Sequence, residues 1–215
     1  MSTRVIGGLI MTHGDNNGLV LPPRVAPVQV IVLPIAQHKP GVLEKAEELV
    51  NRLKAAGVRV KGDFSDNSPG WKFANWEMKG VPLRIEIGPK DIENGQCVAV
   101  RRDNREKTFL SLDNLEETIP ALLEEVQKGI FAKAKENLDS HCFPAYSVEE
   151  AKAIQQDKGG FIKTMWCGDL ACEMKMKEEA GMTSRCIPFE QENLGEVCPI
   201  CGKPAKHMIY WGVAY

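Results

Sequence analysis

Hydrophobic positions follow an alternation of strand and helix patterns from residue 27 onwards. Residues 28–35 form a short run rich in β-branched side chains, as is typical of a buried strand. Between Gly41 and Gly57, apolar residues recur every three or four positions, which predicts an amphipathic helix that Gly57 ends. Apolar and charged residues alternate over 81–87, which predicts a strand with one solvated face.

Shorter elements fill the gaps between these three. Residues 58–61 alternate in the same way, and Ser68 and Pro69 supply an N-cap and a first-turn proline for a further helix. Two weaker strand patterns follow at 95–102 and 108–112. Because strands and helices alternate, the pattern predicts an α/β domain whose mostly parallel or mixed sheet is flanked by helices.

A long helical pattern covers residues 113–139. Asp113 and Glu116 have the spacing of a capping box, which predicts that this pair begins the helix. Pro120 lies inside the pattern, and a proline either occupies the first turn of a helix or kinks it. We place Pro120 in the first turn, where its missing N–H removes no hydrogen bond.

Beyond residue 146 the pattern predicts a smaller α+β arrangement. A capped short helix over 147–160 ends at two glycines, and a strand over 161–168 leads into a cysteine-rich region. The first 26 residues contain two adjacent prolines and look like the end of a larger unit. We therefore predict four parts: residues 1–26, an α/β domain over 27–112, a connecting helix over 113–144 and an α+β domain over 145–215.

Composition and charge narrow the classes of function. The chain has 27 basic and 29 acidic residues in 215, so any binding of nucleic acid must come from a local site. Hydrophobic residues make up 43% and charged residues 26%, which excludes wholesale disorder. The sequence shows neither a membrane-spanning run nor a signal peptide, and its odd cysteine count suits a reducing compartment. We expect a cytoplasmic protein without a membrane partner.

Four of the seven cysteines fall in two short pairs. The second pair is a Cys-x2-Cys turn followed by glycine, which is typical of a zinc knuckle. Four thiolates would fill the tetrahedral shell of a structural Zn²⁺; the alternatives are a redox pair or four unrelated buried cysteines, since the first pair has an unusual four-residue gap. The candidate ligands are Cys167, Cys172, Cys198 and Cys201. Cys186 is a possible competing ligand, but we interpret it, Cys97 and Cys142 as buried apolar residues.

The segment 67–91 places aromatic rings among charged groups. Aromatic side chains beside basic and acidic groups can stack unpaired RNA bases and bind their edges. The wider stretch from Gly57 to Lys107 holds 10 basic and 8 acidic residues, which is only a slight positive bias. The alternative is that Trp71 and Phe73 belong to the core and that the charges form a solvated face.

Residues 12–15 (THGD) place a histidine two positions before an aspartate. This pair suggests catalysis, but no nucleophile pattern accompanies it. We interpret His13 as a turn residue that makes a local hydrogen bond.

Three blocks of the sequence together resemble the prolyl-tRNA synthetases of the archaeal and eukaryotic-like type. They are residues 2–35, residues 68–91, and the cysteine pairs with the terminal WGVAY. The resemblance covers the whole chain in order and implies that it starts within motif 3 of a class II catalytic domain, so residues 1–26 would be the end of that domain. Motifs 1 and 2 have no counterpart, so we expect no catalytic residue here and no ligase activity from the chain alone.

The resemblance also implies roles for individual residues. Arg4, and less directly Ser2, match positions that bind ATP, and the four paired cysteines match zinc positions. Tyr215 matches a terminal tyrosine whose carboxylate approaches the catalytic site. The positions that match anticodon-binding residues are Phe73, Glu77, Arg84, Asp91 and Lys107. The full-length enzyme would be a homodimer that uses ATP, Mg²⁺ and proline to charge tRNA(Pro).

The anticodon chemistry agrees with these residue types. Proline anticodons end in two guanines, and guanine offers N1–H and N2–H₂ donors beside an O6 acceptor. Glu77 and Asp91 would accept from the donors, Arg84 or Lys107 would donate to O6, and Phe73 would stack. Two alternatives stay open: a freestanding RNA-binding or regulatory module, and a zinc-dependent interaction protein without an RNA role.

Overall fold

The computed structural model describes residues 2–214. The prediction for Tyr215 therefore lies outside the described residues. Two compact units, Met1–Ala132 and Lys133–Tyr215, are each described by themselves. In the described part of the chain, no helix has the length and apolar character needed to cross a membrane.

The first unit begins with a helix and a small hairpin. These elements are α1 (Arg4–His13), β1 (Gly14–Asp15) and β2 (Gly18–Leu19), and β1 pairs with β2 in antiparallel fashion. The segment that follows has no regular structure up to residue 29, as its two prolines predict. The Arg59 guanidinium fixes this segment by donating to the carbonyl oxygens of Ala26 (2.9 Å) and Pro23 (2.7 Å).

A five-stranded mixed sheet forms the centre of the first unit. The strands are β3 (Val30–Pro34), β4 (Val60–Gly62), β5 (Leu83–Ile87), β6 (Gln96–Arg101) and β7 (Lys107–Ser111). Their spatial order is β4-β3-β5-β6-β7. The first three run parallel, while β6 and β7 are antiparallel to their neighbours. The prediction of a mixed α/β domain is confirmed.

Helices cover this sheet on both faces. They are α2 (Val42–Ala55), α3 (Pro69–Met78), α4 (Pro89–Glu93) and α5 (Leu115–Ser140). The main core joins α2 and the first half of α5 to one face, where Leu83, Ile85 and Ile87 are fully buried. A smaller cluster joins α3 to the opposite face through Ile31 and Phe73. Alternate residues of β5 therefore point to opposite layers.

Two predictions about the start of α5 are wrong. The helix begins at Leu115, and the carbonyl oxygen of Asn114 accepts from the N–H groups that follow, so Asp113 does not cap it. The Glu116 carboxylate bonds instead to the Arg52 guanidinium, at 2.6 and 2.9 Å. Pro120 lies in the second turn rather than the first, at an exposed position inside the helix.

The second unit is a smaller α+β arrangement. Its elements are β8 (Cys142–Pro144), α6 (Val148–Lys158), β9 (Phe161–Trp166), α7 (Leu170–Ala180), β10 (Thr183–Cys186) and β11 (His207–Gly212). The strand order is β10-β11-β9-β8, with only β8 and β9 parallel among the described residues. Trp211 is fully buried in the core, and its indole N–H donates to the Thr164 hydroxyl at 2.9 Å.

Candidate functional site

Strand register brings four of the five predicted anticodon-binding residues to one face of the five-stranded sheet. Arg84 of β5 pairs with Val100 of β6, which pairs with Lys107 of β7, so these three share a face. This is the face that α3 covers, and α3 carries Phe73 and Glu77. The order along the chain does not show this grouping; the pairing of the strands creates it.

A pocket of about 260 Å³ opens on this face beside α3. It is lined by Asn17, Ile31, Trp76, Glu77, Val81, Arg84, Val100, Arg101, Arg102, Arg105 and Lys107. Five of these side chains are cationic and one is a carboxylate. The pocket therefore offers hydrogen-bond donors in excess, with a single acidic acceptor among them.

Arg84 is held rigidly within this pocket. Its guanidinium carbon lies 4.1 Å from the centre of the Phe73 ring, and its Nε donates to Glu86 at 2.8 Å. Both members of the ion pair are mostly buried. Arg84 therefore covers one face of Phe73, and an incoming base would meet either the guanidinium plane or the opposite face of the ring.

Glu77 is paired with an arginine that follows β6. One Arg105 Nη lies 3.2 Å from Glu77 Oε1, and the two side chains are 60% and 28% exposed. The Arg105 backbone has a φ of +62°, a left-handed conformation that is rare for a residue other than glycine or asparagine. No pattern in the sequence singles out Arg105, because its contact with Glu77 depends on the register of the sheet.

Arg102 connects the pocket wall to the N-terminal hairpin. Its guanidinium binds both oxygens of Asp15, at 2.7 and 2.8 Å, and its Nε donates to the carbonyl oxygen of Glu77 at 3.0 Å. Hydrogen bonds from Arg102 hold the pKa of Asp15 well below its usual range. Asp15, two positions after His13 in the sequence, is thus part of a structural ion pair. His13 is the last residue of α1, and its carbonyl oxygen accepts from the N–H of Val20 at 2.6 Å.

Asp91 lies apart from the residues that line the pocket. It occupies the first turn of α4, which follows β5, and its carboxylate accepts from the Gly88 N–H at 2.9 Å. That bond completes the start of a short helix. One oxygen of Asp91 is therefore engaged locally.

Aromatic residues of α3 divide between surface and interior. Trp71 is 52% exposed, so the alternative that it belongs to the core is wrong. Trp76 is half-buried, and its indole N–H donates to Asp63 at 2.7 Å. The buried Lys72 ammonium donates to the carbonyl oxygen of Asp63 at 3.0 Å. These bonds fix the face of α3 that carries Phe73.

Four cysteines of the second unit form a compact cluster. Cys167 follows β9, Cys172 lies in the first turn of α7, and Cys198 and Cys201 lie on one tight turn. All four sulfur atoms lie within 4.8 Å of one another, and two of the separations are 3.6 and 3.7 Å. A tetrahedral ion with metal–sulfur bonds of about 2.3 Å needs sulfur atoms about 3.8 Å apart, so the cluster fits a metal of that kind.

The surroundings of the cluster favour thiolates on its exposed side. The backbone N–H of Lys203 donates to the Cys201 sulfur and lowers the pKa of that thiol to about 7. Burial raises the pKa of the Cys172 thiol. The turn itself is closed by the Cys198 N–H, which donates to the Lys203 carbonyl oxygen at 2.8 Å. Gly202 takes a φ of +72° at its end.

The other three cysteines lie outside this cluster. Cys97 is buried, as predicted. Cys142 is half-buried and Cys186 is exposed, so the interpretation of Cys186 as a buried apolar residue is wrong. Cys186 is at the end of strand β10, where its side chain reaches solvent.

Comparison with known proteins finds a matching family model in each of the two units. A family model described as an anticodon binding domain matches residues 29–122, and one described as the C-terminal region of prolyl-tRNA synthetase matches residues 148–215. The proline–tRNA ligase 2 of Bacillus thuringiensis (strain Al Hakam) is 60% identical over 215 residues, which are 100% of this chain and 45% of that protein. This chain is homologous to the C-terminal part of prolyl-tRNA synthetases.

Further relatives show the same coverage. The proline–tRNA ligases of Clostridium novyi (strain NT) and Ruminiclostridium cellulolyticum are 59% and 58% identical over the whole chain, which again matches 45% of each. The chain thus spans less than half the length of these synthetases. Their names describe ligases that join proline to tRNA.

Arg4 and Ser2, which the synthetase resemblance assigned to ATP, lie at the start of α1. Both are exposed, and the carbonyl oxygen of Ser2 accepts from the N–H of Val5 at 3.1 Å. No residue of α1 is buried among those described. Their ATP-binding role stays a prediction.

Proposed function

We propose that this chain supplies the anticodon-binding part of a proline–tRNA ligase. In this proposal the first unit binds the anticodon of tRNA(Pro) through the face of its sheet that carries the pocket. The full-length enzyme would be a cytoplasmic homodimer that activates proline with ATP and Mg²⁺, with Arg4 and Ser2 at the nucleotide. The matches to synthetase family models support this proposal over a freestanding module or an interaction protein without an RNA role.

The observation that carries the proposal is the convergence of Phe73, Glu77, Arg84 and Lys107 on one sheet face. These side chains combine a ring, a carboxylate and two cations. Glu77, Arg84 and Lys107 line the pocket, and the Phe73 ring lies against Arg84. A guanine edge needs a carboxylate for its two donors and a cation for O6. Asp91, on α4, would serve the second guanine from outside this pocket.

Binding of a proline anticodon stem–loop tests this function. Fluorescence anisotropy would compare the RNA with a variant that has adenines in place of the two anticodon guanines, each at two salt concentrations. We expect tighter binding of the guanine RNA, by about 1–3 kcal/mol for each replaced base. Equal affinities that fall together with salt would reduce the interaction to phosphate contacts and contradict the proposal.

We also propose that the four clustered cysteines hold a structural Zn²⁺. Four thiolates leave no open position, so the ion would stabilise the second unit without taking part in the reaction. The sulfur separations support this assignment, as does the N–H of Lys203 at the Cys201 sulfur, which favours a thiolate.

Metal analysis of the purified chain tests the zinc site. We expect about one zinc ion per chain, lost in a Cys198→Ser variant and retained in Cys186→Ser, which removes an exposed thiol outside the cluster. A zinc-free protein with four reduced thiols and an unchanged fold would overturn the proposal.

A further inference from the structure

A second pocket lies on the four-stranded sheet of the second unit, on the face opposite to the core. Lys163 of β9 pairs with Tyr210 of β11. The adjacent pair, Ile162 and Trp211, is fully buried in the core, so the first pair points to the other face. The end of α5 and all four strands line the pocket, which has a volume of about 560 Å³. Small-molecule sites usually have volumes of about 300–1,000 Å³, so this pocket has the size of a ligand site.

Two aromatic rings form a corner of this pocket. The ring centroids of Phe161 and Tyr210 are 6.4 Å apart, and the ring planes meet at 90°. Gly212 of β11 makes room for this arrangement, because a Cβ there would lie 3.3 Å from the Phe161 ring and 3.2 Å from Arg185 Nε. Leu138 of α5 adds an aliphatic side chain to the lining. A flat ring in this corner would stack on one aromatic side chain and meet the edge of the other, and both arrangements are favourable.

The charges at the pocket leave one cation without an acidic partner among the described residues. Asp139 accepts from Lys135 at 2.8 Å. Lys163 donates to Glu192 at 2.5 Å. One Nη of Arg185 donates to a backbone carbonyl oxygen of β11 at 2.9 Å, and a guanidinium has five N–H donors in all. Arg185 therefore keeps a positive charge and several donors for an anion.

We propose that this pocket binds a small aromatic carboxylate. The carboxylate accepts hydrogen bonds from the Arg185 guanidinium, whose planar donors match its two oxygens. The ring occupies the corner between Phe161 and Tyr210. A ligand with several charges would not suit this corner, because its charges would be desolvated against apolar side chains. The site lies in the second unit and depends on neither the anticodon-binding proposal nor the zinc proposal.

Two cysteines at the pocket report its occupancy in the unmodified protein. Cys142 of β8 pairs with Phe161. Cys186 of β10 pairs with Tyr210. Both cysteines line the pocket, so a ligand that lies between the rings should slow the alkylation of both thiols by iodoacetamide. Mass spectrometry of peptides measures the alkylation rate of each cysteine separately.

The probe is 2-naphthoate, and 2-naphthamide is a neutral control of nearly the same shape. We expect 2-naphthoate to protect both thiols with a Kd of about 0.1–1 mM, which is usual for a ligand of this size. The amide should bind about tenfold more weakly, because it forms no charge-assisted hydrogen bond with the guanidinium. Isothermal titration calorimetry would measure both affinities independently of the thiols.

Variants of Arg185 and Phe161 separate the contacts of the carboxylate from those of the ring. Arg185 is exposed, so Arg185→Gln should hardly change the melting temperature. It should weaken binding of 2-naphthoate about tenfold and leave binding of 2-naphthamide unchanged. Phe161→Leu should weaken both probes to the same extent, because both lose the same ring contact. Lys175→Gln removes an exposed cation of α7 outside the pocket, and it should change neither affinity.

Each alternative result contradicts a stated part of the proposal. Equal affinities of the wild type for the two probes, or unchanged 2-naphthoate binding in Arg185→Gln, would overturn the role of the carboxylate. Octanoate is the aliphatic comparison, and protection as strong as that by 2-naphthoate would overturn the aromatic class. If 2-naphthoate protects neither cysteine at its solubility limit, the site itself is wrong. None of these results concerns anticodon binding, which the RNA titrations test separately.

Discussion

The hydrophobic cores of the two units are built from different kinds of side chain. The five-stranded sheet packs aliphatic side chains against α2 and α5 on one face and against α3 on the other. In the second unit, Cys167, Cys172 and Cys198 belong to the hydrophobic core itself. In the two proposals above, RNA recognition belongs to the first unit and metal-dependent stability to the second, so we expect that each can be disturbed without the other.

Removal of the proposed zinc ion is the change for which we expect the largest effect. Without zinc, the second unit would keep several thiols packed in its core without their ion, because structural zinc contributes directly to folding. We expect a chelator, or Cys198→Ser, to unfold the second unit and to leave the first intact. Hydrogen exchange would show loss of protection in β9 and α7 with unchanged protection in β3 and β5. Simultaneous loss in both units would show that their stabilities are coupled and break the comparison.

Local signals predicted most elements in both units. The hydroxyl groups of Ser68 and Ser147 accept from the N–H groups of Trp71 and Glu150, as helix caps chosen from the sequence should. The cysteine knuckle is local in the same sense, since its turn and its glycine lie within five residues of one another. Such features depend only on residues that are close together in the sequence, so local sequence patterns are enough to predict them.

The candidate RNA-binding face is only partly predictable from the sequence, because its contacts join residues that are far apart along the chain. Asp15 and Arg102 are 87 positions apart, and no local pattern joins them. The contact of Glu77 with Arg105 needs the register of β6 and β7 and the position of α3. The start of α5 was misplaced because Glu116 binds Arg52 from α2, so a tertiary ion pair replaced the local capping box.

A Glu77→Gln variant tests whether RNA recognition by the first unit can be weakened without changing the second unit. The amide would turn an N–H₂ group towards the guanine donors or leave one donor without an acceptor, so the preference for guanine over adenine RNA should fall by about 1–3 kcal/mol. Zinc content should not change. Glu124→Gln alters another exposed carboxylate that pairs with an arginine, and it serves as the matched control. An equal loss in both variants would point to general electrostatics instead of a contact with a base.

The smallest expected effect concerns the stability of the first unit through Asp15. In an Asp15→Asn variant, the buried Arg102 guanidinium loses its charged acceptor, and we expect a loss of about 1 kcal/mol at pH 7, since Asp15 itself is half-exposed. Because Arg102 lowers the pKa of Asp15 from its ordinary 3.8, the wild-type contribution is present above that pH and is lost as the pH falls towards the lowered pKa. The difference in free energy of unfolding between wild type and variant should therefore narrow in acid. Denaturant titrations at pH 7 and at pH 3 would measure it. A difference that stays constant, or one that appears in the exchange rates of the second unit, would contradict the assignment of this ion pair to the first unit alone.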